Sequence, residues 1–146
     1  MRVVLDTNVL VRATLSPSGP AAELVEIIQS QRHSLVVSEF ILTELNRVLS
    51  YPRLVALHRF DDAAIASWVA GLRAISVVVN IGDAVRFIAD DPDDDPVIAT
   101  ATTGQADYLC SRDRHLHHKA VHDHCAEFGV RVVTELELLA ELRPSA

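Results

Sequence analysis

Asp6, Glu44, Asp94 and Asp113 are the side chains whose types and places could do chemistry, and that chemistry is the holding of a divalent cation. Asp6 directly follows the apolar run Val3-Val4-Leu5. Asp113 comes three residues after Cys110, which ends a second such run, Tyr108-Leu109-Cys110, and Asp94 stands where Asp95-Pro96 opens a helix. In open parallel α/β sheets, ligand sites gather beyond the carboxyl ends of the strands. These three acids fall there. Glu44 is different and more informative: three residues after Ile41 and four before Val48, it shares a helical face with apolar side chains and should be partly buried. Burying an ionised acid is costly unless a cation or several donors compensate. Four acids at one sheet edge call for something positive among them, and hard oxygen donors favour Mg²⁺ or Mn²⁺ over zinc.

Each acid also has a plainer use. Asp6, with Asn8, could fix a strand-to-helix corner through side-chain bonds to the backbone. Arg47 or Arg53 could fold over Glu44, and Arg112 and Arg114 could solvate Asp113 in a loop. Because Pro96 suits the first position of a helix, Asp95 is the natural N-cap, which frees Asp94 for other work.

The elements that must position these side chains are legible from periodicity. Val3 to Leu5 reads as a strand, Asp6-Thr7-Asn8 as a turn and Val9 to Leu15 as a helix. Ala21 to Gln31 has helical spacing, Leu35 to Val37 forms a second strand, and Ser38 is placed to cap a helix that runs to about Leu49, where Tyr51-Pro52 stops it. A helix over Asp61 to Ala74 precedes a strand, Ser76 to Val79. Val97 to Thr103 is helical, Tyr108 to Cys110 and Val130 to Val133 are the last strands, and Thr134 begins a terminal helix through Leu142. Short apolar strands alternating with helices predict a single α/β domain over residues 1–146, a three-layer α/β/α sandwich around a mainly parallel sheet.

Composition sets bounds on function. At 146 residues with 49% hydrophobic side chains, the chain can bury one real core. Its apolar runs are far shorter than the roughly 20 residues a bilayer span needs, and no apolar leader opens it, so the expected location is cytoplasmic. Cys110 and Cys125 are too few for a disulfide framework and fit small hydrophobes in a reducing compartment. The net charge of −7 has the wrong sign for a broad nucleic-acid-binding surface. That objection weakens if carboxylates converge on metal, since each ion presents a cation to phosphate. His115, His117, His118, His122 and His124, with Cys125, invite a zinc reading, but no second cysteine is near and no helix start converges four ligands. A polar, partly exposed stretch is the expectation there.

The ordered set of motifs resembles the PIN-domain nucleases, in particular the PIN-family toxins of bacterial toxin–antitoxin pairs. Val4-Leu5-Asp6-Thr7-Asn8-Val9-Leu10 looks like the opening motif, and Ser38-Glu39 through Thr43-Glu44-Leu45 like the second. Asp91-Pro92-Asp93-Asp94-Asp95-Pro96, with Ile98 and Ala101, is similar to the third, and Asp107 through Asp113 to the last. Each is weak alone; the order is specific. The resemblance implies that Asp6, Glu44, Asp94 and Asp113 bind one or two divalent ions, Mg²⁺ or Mn²⁺, with Asn8 and Ser111 as polar supports. It implies RNA as substrate, hydrolysis of the phosphodiester, and an antitoxin protein as partner, while a homodimer is left open. Ser111 stands where threonine is more usual in the family. The acidic run leaves the third position ambiguous by one residue, and spacing to Ala101 and Asp113 favours Asp94 over Asp95.

Other classes fit less well. A haloacid-dehalogenase-like phosphatase needs a second Asp two residues after the first, where Asn8 stands. A receiver-like domain needs a late lysine after the last strand, and Lys119, the sole lysine, precedes it. The main alternative is a non-catalytic PIN-like module that binds RNA or protein, against which all four acids being intact argues.

Overall fold

The computed structural model describes residues 1–30 and 33–143, so the expected helix end at Gln31 lies outside the described residues. Five strands, β1 (Arg2–Leu5), β2 (Ser34–Ser38), β3 (Val77–Val79), β4 (Tyr108–Cys110) and β5 (Arg131–Val133), form one sheet in the order β3-β2-β1-β4-β5. Every pairing is parallel, with Leu5 opposite Cys110 and Cys110 opposite Val133. The strands are short continuous apolar runs because both faces of a parallel sheet are covered. The edge strand β3 is the exception, and its Val77 and Val78 stay exposed.

Helices supply the connections that parallel strands require. These are α1 (Thr7–Leu15), α2 (Pro20–Ser30), α3 (Glu39–Leu49), α4 (Pro52–His58), α5 (Asp62–Ile75), α6 (Asp95–Thr103) and α7 (Lys119–Glu127), and α8 (Glu135–Leu142) follows the last strand. The chain builds outward from β1 to β3, then crosses to β4 on the other side of β1. Right-handed crossovers therefore place α1–α5 and α6–α7 on opposite faces, α8 returns to pack on α2, and the sandwich has three layers. In the earlier layer α1 contacts α2 and α3, and α3 contacts α5, while α6 contacts α7 in the later one.

Burial follows the sequence pattern. On α3, Ile41, Leu42, Leu45 and Leu49 are buried against the core, each worth about 1.5–3 kcal/mol relative to exposure. Two helices depart from the expected reading. Tyr51-Pro52 ends α3 but also starts α4, because Pro52 occupies a first-turn position where its missing N–H costs nothing. The histidine segment, expected as a polar stretch, contains α7, which buries only Val121 and Cys125, one turn apart. Two contacts are too few to make a periodic signal.

Candidate metal centre

The switch point of the sheet lies between β1 and β4, whose connections run to opposite faces. There the chain leaving β1 and the chain leaving β4 travel side by side. The Asp6 amide donates to the Cys110 carbonyl at 2.9 Å, extending the ladder one step beyond the strands. This fixes the Asp6 carboxylate beside Ser111, whose hydroxyl donates to Asp6 Oδ2 at 2.8 Å. Ser111 Oγ in turn accepts the Asp113 amide at 2.9 Å. A fully buried serine thus ties the first and last acids together. Asp6 stands at the N-cap position of α1 without a side-chain capping bond.

Ser111→Ala would remove the donor to Asp6 and leave the Asp113 amide without its acceptor. A buried polar group stripped of its partner costs about 1–3 kcal/mol. The expected result is a stability loss of that size by urea denaturation; an unchanged midpoint would show that the serine positions neither acid.

Asp94 is 7% exposed, and its Oδ2 is buried with no hydrogen-bond partner. Burial is the main cause that pushes its pKa from 3.8 up to about 7; the charges of Asp113, Asp6, Asp91 and Glu44 follow in that order. Asp6 is raised by burial first, opposed by hydrogen bonds from the Ser111 hydroxyl and the Thr7 amide, with Glu44 and Asp113 adding to the rise. The mutual effects place the four sequence-predicted acids in one electrostatic neighbourhood, contributed by the ends of β1 and β4, by α3 and by the start of α6. They do not form a closed cage: among the described residues, no three have oxygens all within 4.8 Å of one another.

The acidic run divides its labour. Asp95 is not the N-cap: it is the first residue of α6, buried, and its Oδ1 accepts the Ile88 and Ala89 amides at 3.0 and 2.8 Å. Its carboxylate is therefore committed to holding the β3–α6 connection, and Asp94, beside it, keeps a free oxygen. Asp91 Oδ1 accepts the Asp93 amide across the 3-10 turn Pro92–Asp94. Ser38, expected to cap α3, makes no capping bond; its hydroxyl meets Thr100 Oγ1 at 2.8 Å, and Thr100 donates to the Pro96 carbonyl at 2.7 Å. This bond locks α3, which carries Glu44, to α6, which follows Asp94.

Glu44 is partly buried, its side chain 20% exposed, with the Arg47 guanidinium 4.0 Å away at the margin of an ion pair. Arg47 also donates to the Tyr51 hydroxyl. Asp113 is half-buried and its Oδ1 accepts the His115 amide at 2.9 Å. Asn8 lies exposed on the first turn of α1. Sequence reasoning passed over Thr7, which is buried with its hydroxyl oxygen unpartnered. A threonine between Asp6 and Asn8 at the start of a helix was the available signal.

The arrangement suits a cation on chemical grounds. Asp94 Oδ2 is an orphaned buried acceptor, and the acids around it offer oxygen only, the donor type of hard divalent ions. Asp6, Glu44, Asp94 and Asp113 could hold such an ion, and Ser111 orients two of them.

The comparisons agree with the architecture. The model of the PIN domain matches residues 2–115, most of the chain, and the protein belongs to the PIN-domain family. A chain from the crystal structure of VapBC2 from Rickettsia felis, bound to a DNA fragment from its promoter, is similar with a TM-score of 0.57 and 14% identity. The alignment covers 92% of this chain and 98% of that one. A chain from the structure of FitAB bound to the IR36 DNA fragment has a TM-score of 0.55 and 16% identity, covering 91% and 94%. At such identity the likeness speaks for the fold. No curated protein matches the chain. Among the described residues, no helix is long and apolar enough to cross a membrane.

Proposed function

We propose that this protein is a divalent-metal-dependent ribonuclease that hydrolyses RNA phosphodiester bonds and serves as the toxin of a toxin–antitoxin pair. The observation that carries the reading is Asp94 Oδ2, buried without a partner among three further acids from separate elements. A pure scaffold gains nothing from a repelling cluster of this kind, whereas a metal-holding site needs it. Membership of the PIN family supports a nuclease, and the two neighbours from VapBC2 and FitAB assemblies support a toxin setting.

In this reading Asp6, Glu44, Asp94 and Asp113 hold Mg²⁺ or Mn²⁺, which supplies Lewis acidity for water activation and neutralises charge at phosphorus. Ser111 keeps the Asp6 carboxylate turned into the site and anchors the Asp113 backbone. Burial, and after it the neighbouring carboxylates, hold a proton on Asp94 near neutrality in the metal-free protein, and that proton must leave before Asp94 can act as a ligand. None of the acids needs to be a nucleophile. An antitoxin that presents an arginine would find in the same cluster the carboxylates a guanidinium fork bridges.

The test is incubation of the purified protein with single-stranded and structured RNAs in Mg²⁺, Mn²⁺ or EDTA, with and without the product of the adjacent gene. Cleavage should require metal, stop in EDTA and be suppressed in the complex. Full activity in chelator would sink the metal mechanism. Metal binding without cleavage of any RNA would favour the non-catalytic module instead.

A further inference from the structure

Beside the acid cluster, a second set of donors has a different chemistry. Among the described residues, Asp90, His115 and His118 are the set of three whose ligating atoms all lie within 4.8 Å of one another. His118 Nδ1 is 2.9 Å from Asp90 Oδ2, and His115 Nδ1 is 3.9 Å from the same oxygen. Tetrahedral coordination with metal–ligand bonds of about 2.0–2.2 Å separates neighbouring donors by roughly 3.3–3.5 Å. The observed separations bracket that range, so small side-chain rotations would close the set on one ion.

The backbone prepares this arrangement. His115 lies in the 3-10 turn Arg114–His117, and His118 follows three residues later at the N-cap of α7. In a 3-10 turn, side chains three apart lie on one side, and the two imidazoles stand edge to face with centroids 5.4 Å apart. The turn is anchored by fully buried Leu116, by the Asp113 carboxylate on the His115 amide, and by His117 Nε2 against the Ser111 carbonyl at 2.7 Å. Asp90 arrives from the other side, on the connection that Asp95 holds through Ile88 and Ala89. The missing ligand that made the histidine run unconvincing in sequence is thus a carboxylate some 25 residues upstream.

We infer that Asp90, His115 and His118 form a second metal site, selective for a borderline divalent ion such as Zn²⁺ and separate from the hard-cation cluster of Asp6, Glu44, Asp94 and Asp113. Two imidazole nitrogens and one carboxylate suit zinc, which binds nitrogen ligands far better than Mg²⁺ does. All three side chains are at least half exposed, so the ion has access and a position remains for water. Bound there, it would clamp the β3–α6 connection to the start of α7. Arg112 and Arg114 line the same recess, of about 540 Å³, as His115 and His118, and oppose a bare cation, so an anion from solution would favour its binding. The inference stands whether or not the chain cleaves RNA.

The experiment is a Zn²⁺ titration of the full chain in excess Mg²⁺, which occupies hard-oxygen sites, followed by nitrogen NMR of the imidazoles. One equivalent should shift the Nδ1 resonances of His115 and His118 and leave those of His33, His58 and His124 in place. His115→Ala, His118→Ala and Asp90→Asn should each weaken binding at least about tenfold, with circular dichroism confirming the fold, while Asp94→Asn should leave it unchanged. If one histidine variant unfolds, the other and Asp90→Asn still decide. Zinc affinity equal to wild type in the folded variants, shifts confined to other histidines, or no binding would reduce the three to an ordinary His–Asp contact and overturn the proposal.

Discussion

Asp94→Asn is expected to lower metal-dependent RNA cleavage by at least about a hundredfold while raising the melting temperature of the metal-free protein at neutral pH. The size of the first effect follows from loss of a ligand, since even residues that merely orient ligands cost about 10–100-fold. The second has a separate cause. Asn is nearly the same shape as Asp, and it removes a carboxyl group that burial and four acidic neighbours keep from ionising freely. Its amide also puts a donor where Oδ2 now lacks a partner among carboxylates. A gain of several degrees is the expected scale, at about 2–4 °C per kcal/mol for a domain of this size. Asp6→Asn should lose activity alike, through loss of a ligand, and keep its fold, because Asn can still accept the Ser111 hydroxyl. Opposite signs for activity and stability are the signature of a functional acid held at a structural cost. A variant that loses stability and activity together would instead make Asp94 a folding residue.

The metal-free protein should lose stability as pH rises from about 4 to about 7, and Mg²⁺ should restore it. The Asp94 carboxyl has a folded-state pKa of about 7 against 3.8 for an unburied one, and Asp6 moves in the same direction. Below pH 4 both folded and unfolded states hold the proton, and there is no penalty. Above 3.8 the unfolded chain releases it, while the folded chain must retain it or bear a buried charge, so stability falls through the folded pKa. Glu39 and Glu137 are shifted down, by the Arg73 pair and by the Thr134 amide respectively, and act in the opposite sense. Both lie at the surface, where such pairs contribute little. The wild-type minus Asp94→Asn difference isolates the buried acid. Mg²⁺ at a hundred times its Kd should add about 2.7 kcal/mol, which corresponds to about 5–10 °C. The measurement is thermal unfolding from pH 4 to 8 in EDTA and in Mg²⁺. A flat difference curve would count against the raised pKa, and no Mg²⁺ shift at millimolar concentration would count against the cation site.

The sequence by itself determined the strands, most of the helices and the places of the four acids. Those signals are local: a strand with both faces buried must be a continuous apolar run, and α3 must repeat its apolar residues every three to four positions. Asp6 and Ser111 could be placed beside a strand end for the same reason. Tertiary structure alone decided what each polar side chain does there. Asp95 looks like a helix cap in sequence, yet its carboxylate holds the Ile88 and Ala89 amides, and this commitment leaves Asp94 as the acid with a free oxygen. Ser38 looks like a cap as well, and instead bonds Thr100, 62 residues away. His115 and His118 found their carboxylate in Asp90 only through the fold. The physical reason is that a short polar side chain has several partners of similar strength within reach, and the choice among them depends on which distant segment the packed sheet and helices bring alongside.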